Sequence, residues 1–319
     1  MSNIISEEVL KTGKHGQAIN GVILIKDYKI TLTKYGKEYI TGNLASGVQV
    51  QFKAWGSSVA FAKLKAEDYT NVPCLIQGAF DDYQGTISIV VDSVTAIDGY
   101  KPDDFLPIKY NIEGYYTNLV AFCQKVISPE GYALLDKVLF SNSELVERFK
   151  LEFAAKSHHD NCKGGLLVHT YKVLNNLNSV ISLYKGLHNN NQKIKDLYII
   201  GAVLHDIGKV WEMNFGNYQT CAVVTHRYLG LEYISKFKED FVGVYGEEWY
   251  YNLASIFLQH HGEYDDDCRS VYAQVIHFVD CLDADLTSIV EAMELSVNPS
   301  IRFRDKYLSF MVEGDTNEA

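Results

Sequence analysis

Over the first hundred residues the apolar and polar positions recur with a strand-like period. GVILIKDYKITLT, KEYITGNL and VQVQFKAW are short runs of this kind, separated by turn signals at Tyr35-Gly36-Lys37 and Ser46-Gly47. One helical stretch follows, SSVAFAKLKAEDY. Two further strands come next, VPCLIQGAF and GTISIVVDSVTAI, joined by a turn at 81–85. Three strands, a helix and two strands predict a five-stranded barrel of the OB type over residues 18–100, after an N-terminal extension at 1–17. A β-sandwich fragment is the competing architecture. KPDDFLP then opens a polar, proline-containing linker over 101–112.

Beyond the linker the pattern changes to a helical period. YYTNLVAFCQKVI, GYALLDKVLF, ELVERFKLEF, GLLVHTYKVLNNLNSVISLY and KDLYIIGAVLHDIGKV each form an apolar stripe, as do YLGLEYISKF, EWYYNLASIFLQHHG and VYAQVIHFVDCLDADLTSIVEAMEL. The predicted fold class is multidomain α and β: a barrel followed by an all-α domain over 113–312, with an inter-helix loop at 187–193. A tail at 313–319 is expected to fray.

A length of 319 residues with 47% apolar and 22% charged positions fits two globular domains. No apolar run reaches membrane-span length, and the opening residues show no signal-peptide core. The six cysteines are scattered without a C-x-x-C pair, so a reducing cytoplasm is the expected location. The net charge of −11 is uneven, with −1 over residues 1–100 and −10 over 101–319. An acidic domain does not bind nucleic acid by bulk attraction, so a polyanionic substrate would need local patches. The 22 tyrosines permit self-association into a homo-oligomer.

The chemistry lies in the order His169, His205-Asp206, His226, His260-His261, Asp280. An adjacent His-Asp gives a hard divalent cation a neutral imidazole and an anionic oxygen from one helix. Four or five helices, each giving one or two such groups, can close a metal site inside a helical domain. Asp206 sits in an apolar run, where a carboxylate costs several kcal/mol unless paired or metal-bound. Gly208 either stops that helix or lets another segment approach, and Lys209 brings an ammonium within about one turn of the ligands. His226 is the weakest single member and could be a surface residue at a helix start. Asp280 and Asp283 share one helix face with His277, which makes Asp283 and His277 candidates for supporting the ligands.

This order resembles the HD-domain superfamily of metal-dependent phosphohydrolases, and HDIGK (205–209) is the form found in its two-metal branches. LEFAAKSHHDNCKGGLLVHTYKVL (151–174), AVLHDIGKV (202–210), LQHHGE (258–263) and HFVDCLDADL (277–286) resemble the YhaM family of 3′→5′ exoribonucleases. The barrel strands are similar to that family's OB strands. The resemblance implies an OB fold joined to an HD domain and two divalent ions. His169, His205, Asp206 and Asp280 would hold the first ion. Asp206 would bridge to a second held by His226, His260 and His261. It further implies that Lys209 faces the scissile phosphate and that His159 contacts a substrate phosphate. Arg227 departs from the family, which more often has an apolar or small residue after that histidine.

Two such ions, about 3.5–4 Å apart, deprotonate a shared water and stabilise the attacking and leaving oxygens. Mixed His/carboxylate ligation suits manganese, iron or cobalt better than magnesium. The expected activity is stepwise 3′→5′ hydrolysis of single-stranded RNA, or of single-stranded DNA, to nucleoside 5′-monophosphates. For strand capture, Lys26, Lys29, Lys34 and Lys37 cluster near the first hairpin with Tyr28, Tyr35 and Tyr39; Trp55 and Tyr83 are further stacking candidates. Phe52 and Phe80 are either stacking residues or barrel core. Stacking contributes roughly 1–3 kcal/mol per base. Two alternatives stand beside the exonuclease: a phosphohydrolase of small linear or cyclic nucleotides, and a non-catalytic binding module. The cyclic-dinucleotide HD-GYP enzymes share HDIGK, but HHGEYDDDCRS lacks their G-Y-P stretch.

Overall fold

The computed structural model describes residues 3–83, 86–156, 160–219, 223–262, 267–295 and 300–311, with the backbone alone at 83, 86 and 295. The chain divides into two compact units, Met1–Lys109 and Tyr110–Ala319.

In the first unit a short helix α1 (Glu7–Thr12) precedes β1 (Ala18–Leu32), β2 (Glu38–Ala45), β3 (Gln49–Trp55), α2 (Val59–Ala66), β4 (Val72–Tyr83) and β5 (Thr86–Ala96). The strands close into a barrel in the order β1-β2-β3-β5-β4, with β4 returning to pair with β1. Only β3 and β5 run parallel; the other pairs are antiparallel. This is the five-stranded OB-type closure. Ile23, Ile25, Ile40, Leu44, Phe52, Ile76, Phe80 and Ile89 fill its interior, and α2 adds Phe61 and Leu64. Phe52 and Phe80 are therefore core residues and not stacking platforms. The segment read as a polar linker folds a single 3-10 turn at Pro102–Phe105. Phe105 is buried there, and its carbonyl accepts from the Gly47 N–H at 2.9 Å. An aromatic side chain with somewhere to bury outweighs the flanking charge of this segment.

The second unit comprises α3 (Ile112–Val126), α4 (Pro129–Leu135), α5 (Ser143–Leu151), α6 (Gly165–Leu183), α7 (Gln192–Leu204), α8 (Lys209–Glu212), α9 (His226–Ser235), α10 (Lys238–Tyr245), α11 (Glu247–Gln259) and α12 (Val271–Leu295). Side-chain oxygens of Asn111, Ser128, Asn142 and Asn191 accept first-turn N–H groups of α3, α4, α5 and α7, so the helix starts are written locally. Two short hairpins, β6 (Met213–Asn214) with β7 (Asn217–Tyr218) and β8 (Ser300–Phe303) with β9 (Lys306–Ser309), interrupt the expected all-α pattern. They are too short for period-2 alternation to register. The core is built where α6 packs on α7 and α12, and α11 packs on α7, α9 and α12. The apolar character of α12 is divided between its faces. Ile276 and Val279 are buried, whereas Phe278, Leu282, Leu286 and Val290 are exposed.

Candidate metal centre

Helix α7 ends on Leu204, and His205 caps it. A turn over 205–208 then leads into α8. A Cβ on Gly208 would lie 1.9 Å from the carbonyl oxygen of His226. Of the two readings of this glycine, close approach is the one realised: the absent side chain lets the start of α9, which carries His226, dock against the turn that carries Asp206. At the end of α11, Gly262 has a left-handed φ of +58°. A Cβ there would meet the ring of His277 at 2.7 Å. The His277 Nδ1–H donates to the carbonyl of His260 at 2.8 Å, which pins this turn to α12.

These turns converge on Asp206, which is buried. Its Oδ2 stands 3.5 Å from Nε2 of both His169 and His205. Its Oδ1 stands 3.4 Å from Nε2 of His226 and 3.5 Å from Nε2 of His260. Asp280 Oδ1 completes the first side, 3.1 Å from His169 Nε2. His261 completes the second, with its Nε2 3.2 Å from that of His226. His169, His205 and Asp280 offer ligand atoms within 4.8 Å of one another, and so do His226, His260 and His261. Asp206 thus presents one carboxylate oxygen to each group.

The other ring nitrogens are anchored. His205 Nδ1–H donates to the Ala202 carbonyl at 2.8 Å, and His260 Nδ1–H to the Ile256 carbonyl at 3.0 Å. His169 Nδ1 meets Asp283 Oδ2 at 2.8 Å, and His226 Nδ1 meets Glu212 Oε2 at 2.8 Å. A carbonyl or carboxylate can only accept, so each Nδ1 carries a proton, and in His205 and His260 this leaves the Nε2 lone pair directed inward. Among the described residues, Nε2 of His205, Nε2 of His260 and Oδ1 of Asp206 are buried with no hydrogen-bond partner. Converging buried acceptors without a donor fit a divalent cation of the His/carboxylate-binding kind.

Electrostatics agree. Burial depresses His205, and it depresses His260 to about 4, so both stay neutral at pH 7. Burial alone would raise Asp206, but Lys209 and the surrounding histidines hold it well below the usual carboxylate range. Burial also works against the low value of Asp280, and His169 outweighs it. His169 runs the other way: hydrogen bonds to Asp206, Asp280 and Asp283 overcome burial and raise it well above 6.5. Without a cation, the proton on His169 takes part of the cation's place.

The structure therefore brings His169, His205, Asp206, His226, His260, His261 and Asp280 into one cluster. Asp283 and His277 lie directly behind it, and Lys209 Nζ reaches Asp206 Oδ2 at 2.6 Å. His159 and the side chain of Tyr83 lie outside the described residues. Glu212 was missed. Nothing in the sequence pairs it with His226, since the two meet only where α8 packs on α9.

In the barrel, the proposed strand-binding residues divide. Lys26 is fully buried because both faces of β1 are covered from Val22 to Lys26, so it cannot offer its ammonium to a phosphate. The hydroxyl of Tyr28 donates to the Glu67 carbonyl at 2.9 Å and accepts from the Tyr69 N–H at 3.0 Å, a brace between β1 and the segment before β4. Lys34 and Tyr35 are exposed at the β1–β2 turn. Trp55 is 42% exposed, and its ring lies 5.2 Å from that of Tyr39, its register partner across β2 and β3. Lys29 and Lys53 both pair in register with Thr41, one step along the same outward face.

A closed barrel is followed by a helical bundle with a buried His/Asp cluster, and residues 166–285, which include this cluster, match the family model of the HD domain. Over most of its length it is similar to proteins named 3′-5′ exoribonuclease YhaM. It is 27% identical to that of Shouchella clausii over 296 residues, covering 88% of this chain and 87% of the relative. It is 25% identical to that of Bacillus subtilis over 304 residues, covering 88% of each. The Bacillus licheniformis protein is 32% identical over 164 residues, 47% of this chain and 49% of the relative.

Proposed function

We propose that the protein is a metal-dependent phosphodiesterase that removes nucleotides one at a time from the 3′ end of single-stranded RNA. The observation that carries this is the division of Asp206 between two groups of inward-facing histidines, in a chain similar over 88% of its length to 3′-5′ exoribonucleases. His169, His205, Asp206 and Asp280 would hold one divalent ion; Asp206, His226, His260 and His261 would hold a second. Manganese suits this donor set best, with iron, cobalt and magnesium as the other candidates. Bound ions would supply an activated water and neutralise charge at the phosphoryl group.

The chain's own residues would do the rest. Lys209 would bind a non-bridging oxygen of the scissile phosphate as charge accumulates there. His159 would hold a phosphate of the substrate. Water adds to phosphorus as the bond to the 3′-oxygen of the preceding nucleotide breaks, giving a nucleoside 5′-monophosphate and a strand shortened by one. Asp283 and Glu212 would keep His169 and His226 in the tautomer that coordinates. In the barrel, Tyr39 and Trp55 would stack bases, while Lys29, Lys34 and Lys53 meet the backbone. Single-stranded DNA would be held by the same residues.

The test is incubation with manganese and a 5′-labelled single-stranded RNA beside the matched DNA, with products resolved by size. A descending ladder of labelled fragments is expected, and the RNA-to-DNA rate ratio sets the preferred strand. Bound metal without cleavage would overturn the exonuclease in favour of a small-nucleotide phosphohydrolase.

A further inference from the structure

A third group of ligand-type atoms sits behind the centre. Those of Asp160, His169 and Asp283 also lie within 4.8 Å of one another, and all three residues are buried. A side-chain cation already occupies this place. Lys172 Nζ lies 3.1 Å from each carboxylate oxygen of Asp160 and 3.0 Å from Oγ1 of Thr287. The Thr287 hydroxyl continues to Oδ1 of Asp283 at 3.4 Å. The Tyr110 hydroxyl donates to Asp160 Oδ1 at 2.6 Å.

The chain of bonds has a direction. An ammonium only donates, so Thr287 accepts from Lys172 and its own proton is left for Asp283. Asp283 in turn accepts from Nδ1 of His169. The residues follow helical spacing, with His169 and Lys172 three apart on α6 and Asp283 and Thr287 four apart on α12. Asp160 is also held through its backbone. Its carbonyl accepts N–H groups from Cys162 at 2.9 Å and Ala154 at 3.3 Å, and a Cβ on Gly165 would fall 1.9 Å from that oxygen.

We propose that Lys172 and Thr287 are positioning residues of the metal centre, holding His169 through Asp283 so that its Nε2 points at Asp206 and Asp280. The inference rests on the metal-centre reading above.

The experiment is manganese titration of the full-length protein and of Thr287→Val, Lys172→Met and Lys172→Arg, beside cobalt(II) absorption spectra. Thr287→Val keeps the side-chain shape and removes only the hydroxyl. Thr287→Val and Lys172→Met are expected to weaken metal binding by about 10–100-fold, the usual effect of losing an outer partner of a ligating histidine. Both should shift the cobalt spectrum while the metal-free protein keeps its helical circular dichroism, and Lys172→Arg should recover part of the affinity. The double variant should bind no more weakly than Lys172→Met, because the two residues act in series. Wild-type affinity in Thr287→Val overturns the inference and leaves the metal centre standing, and this variant decides the matter if Lys172→Met does not fold. Absence of any manganese binding by the wild type overturns the metal centre itself.

Discussion

Lys209 Nζ lies 2.6 Å from Oδ2 of Asp206, the same oxygen that faces Nε2 of His169 and His205 at 3.5 Å. Burial opposes the charge on Lys209, but Asp206 outweighs it and raises the ammonium above its ordinary range. A permanent positive charge is therefore held within reach of the place where a scissile phosphate would meet the cluster. Lys209→Met should lower kcat by about 10²–10³-fold, the scale of losing one preorganised charge partner, with bound manganese unchanged. Metal analysis beside single-turnover rates tests this; loss of metal would make Lys209 part of the scaffold.

Asp206→Asn keeps the shape of the side chain but removes the charge that both histidine groups face. If Asp206 is shared by two ions as proposed, it could not be replaced from either side, so metal content and turnover should fall together, with kcat reduced at least about 10³-fold. Metal content measured after dialysis against manganese is the check. Wild-type metal content with wild-type turnover would contradict the bridging arrangement.

Much of this was legible in the sequence because the site repeats one logic: a polar residue inside an apolar stripe, justified only by a partner. Asp206 and Asp280 show it most plainly, and the barrel showed itself through its strand–turn spacing. Other features were not legible because they depend on tertiary approach. His226 reads as surface until Gly208 is seen to admit its backbone, at a distance no Cβ would allow. Lys26 reads as a free cation until both faces of β1 prove to be covered. Glu212 and Lys172 acquire meaning only when α8 meets α9 and α6 meets α12.

His260 should make stability depend on pH. Burial holds its imidazole near 4 in the fold, against 6.5 for an unperturbed histidine. Below 6.5 the unfolded chain takes up a proton that the folded chain refuses, so the unfolded state gains. Stability from this residue is full above about pH 6.5 and is lost as pH falls toward 4, by at most about 3 kcal/mol. Urea unfolding of the metal-free wild type and of His260→Gln at pH 8, 6 and 5 isolates it, since the contribution of His169 is common to both. Parallel pH profiles would sink the assignment.

Metal loading should release protons. His169 is raised well above 6.5 by Asp206, Asp280 and Asp283 against the effect of burial, so at pH 7 the metal-free site holds an imidazolium. A cation needs the lone pair on Nε2, and the proton there must leave as it binds. Calorimetric titration at pH 7 in two buffers of different ionisation enthalpy should give about one proton released per site filled. A heat of binding that does not vary with the buffer would show His169 to be neutral beforehand.

The rings of Tyr39 and Trp55 lie 5.2 Å apart at 34° on the outward face of the barrel, so they form one platform rather than two independent ones. Removing either ring both deletes a stacking surface and frees the other to move. Trp55→Ala should weaken binding of a single-stranded RNA about tenfold, within the roughly 1–3 kcal/mol that one stacked base contributes. Tyr39→Ala together with Trp55→Ala should cost less than the sum of the single changes, because residues in contact do not add. Fluorescence anisotropy with labelled RNA in chelator, where cleavage is blocked, measures this directly. Hydrolysis of a dinucleotide should be unchanged in all three variants, since so short a substrate gains nothing from capture. Equal losses on the dinucleotide and the long strand would show that the pair stabilises the barrel and does not bind the strand.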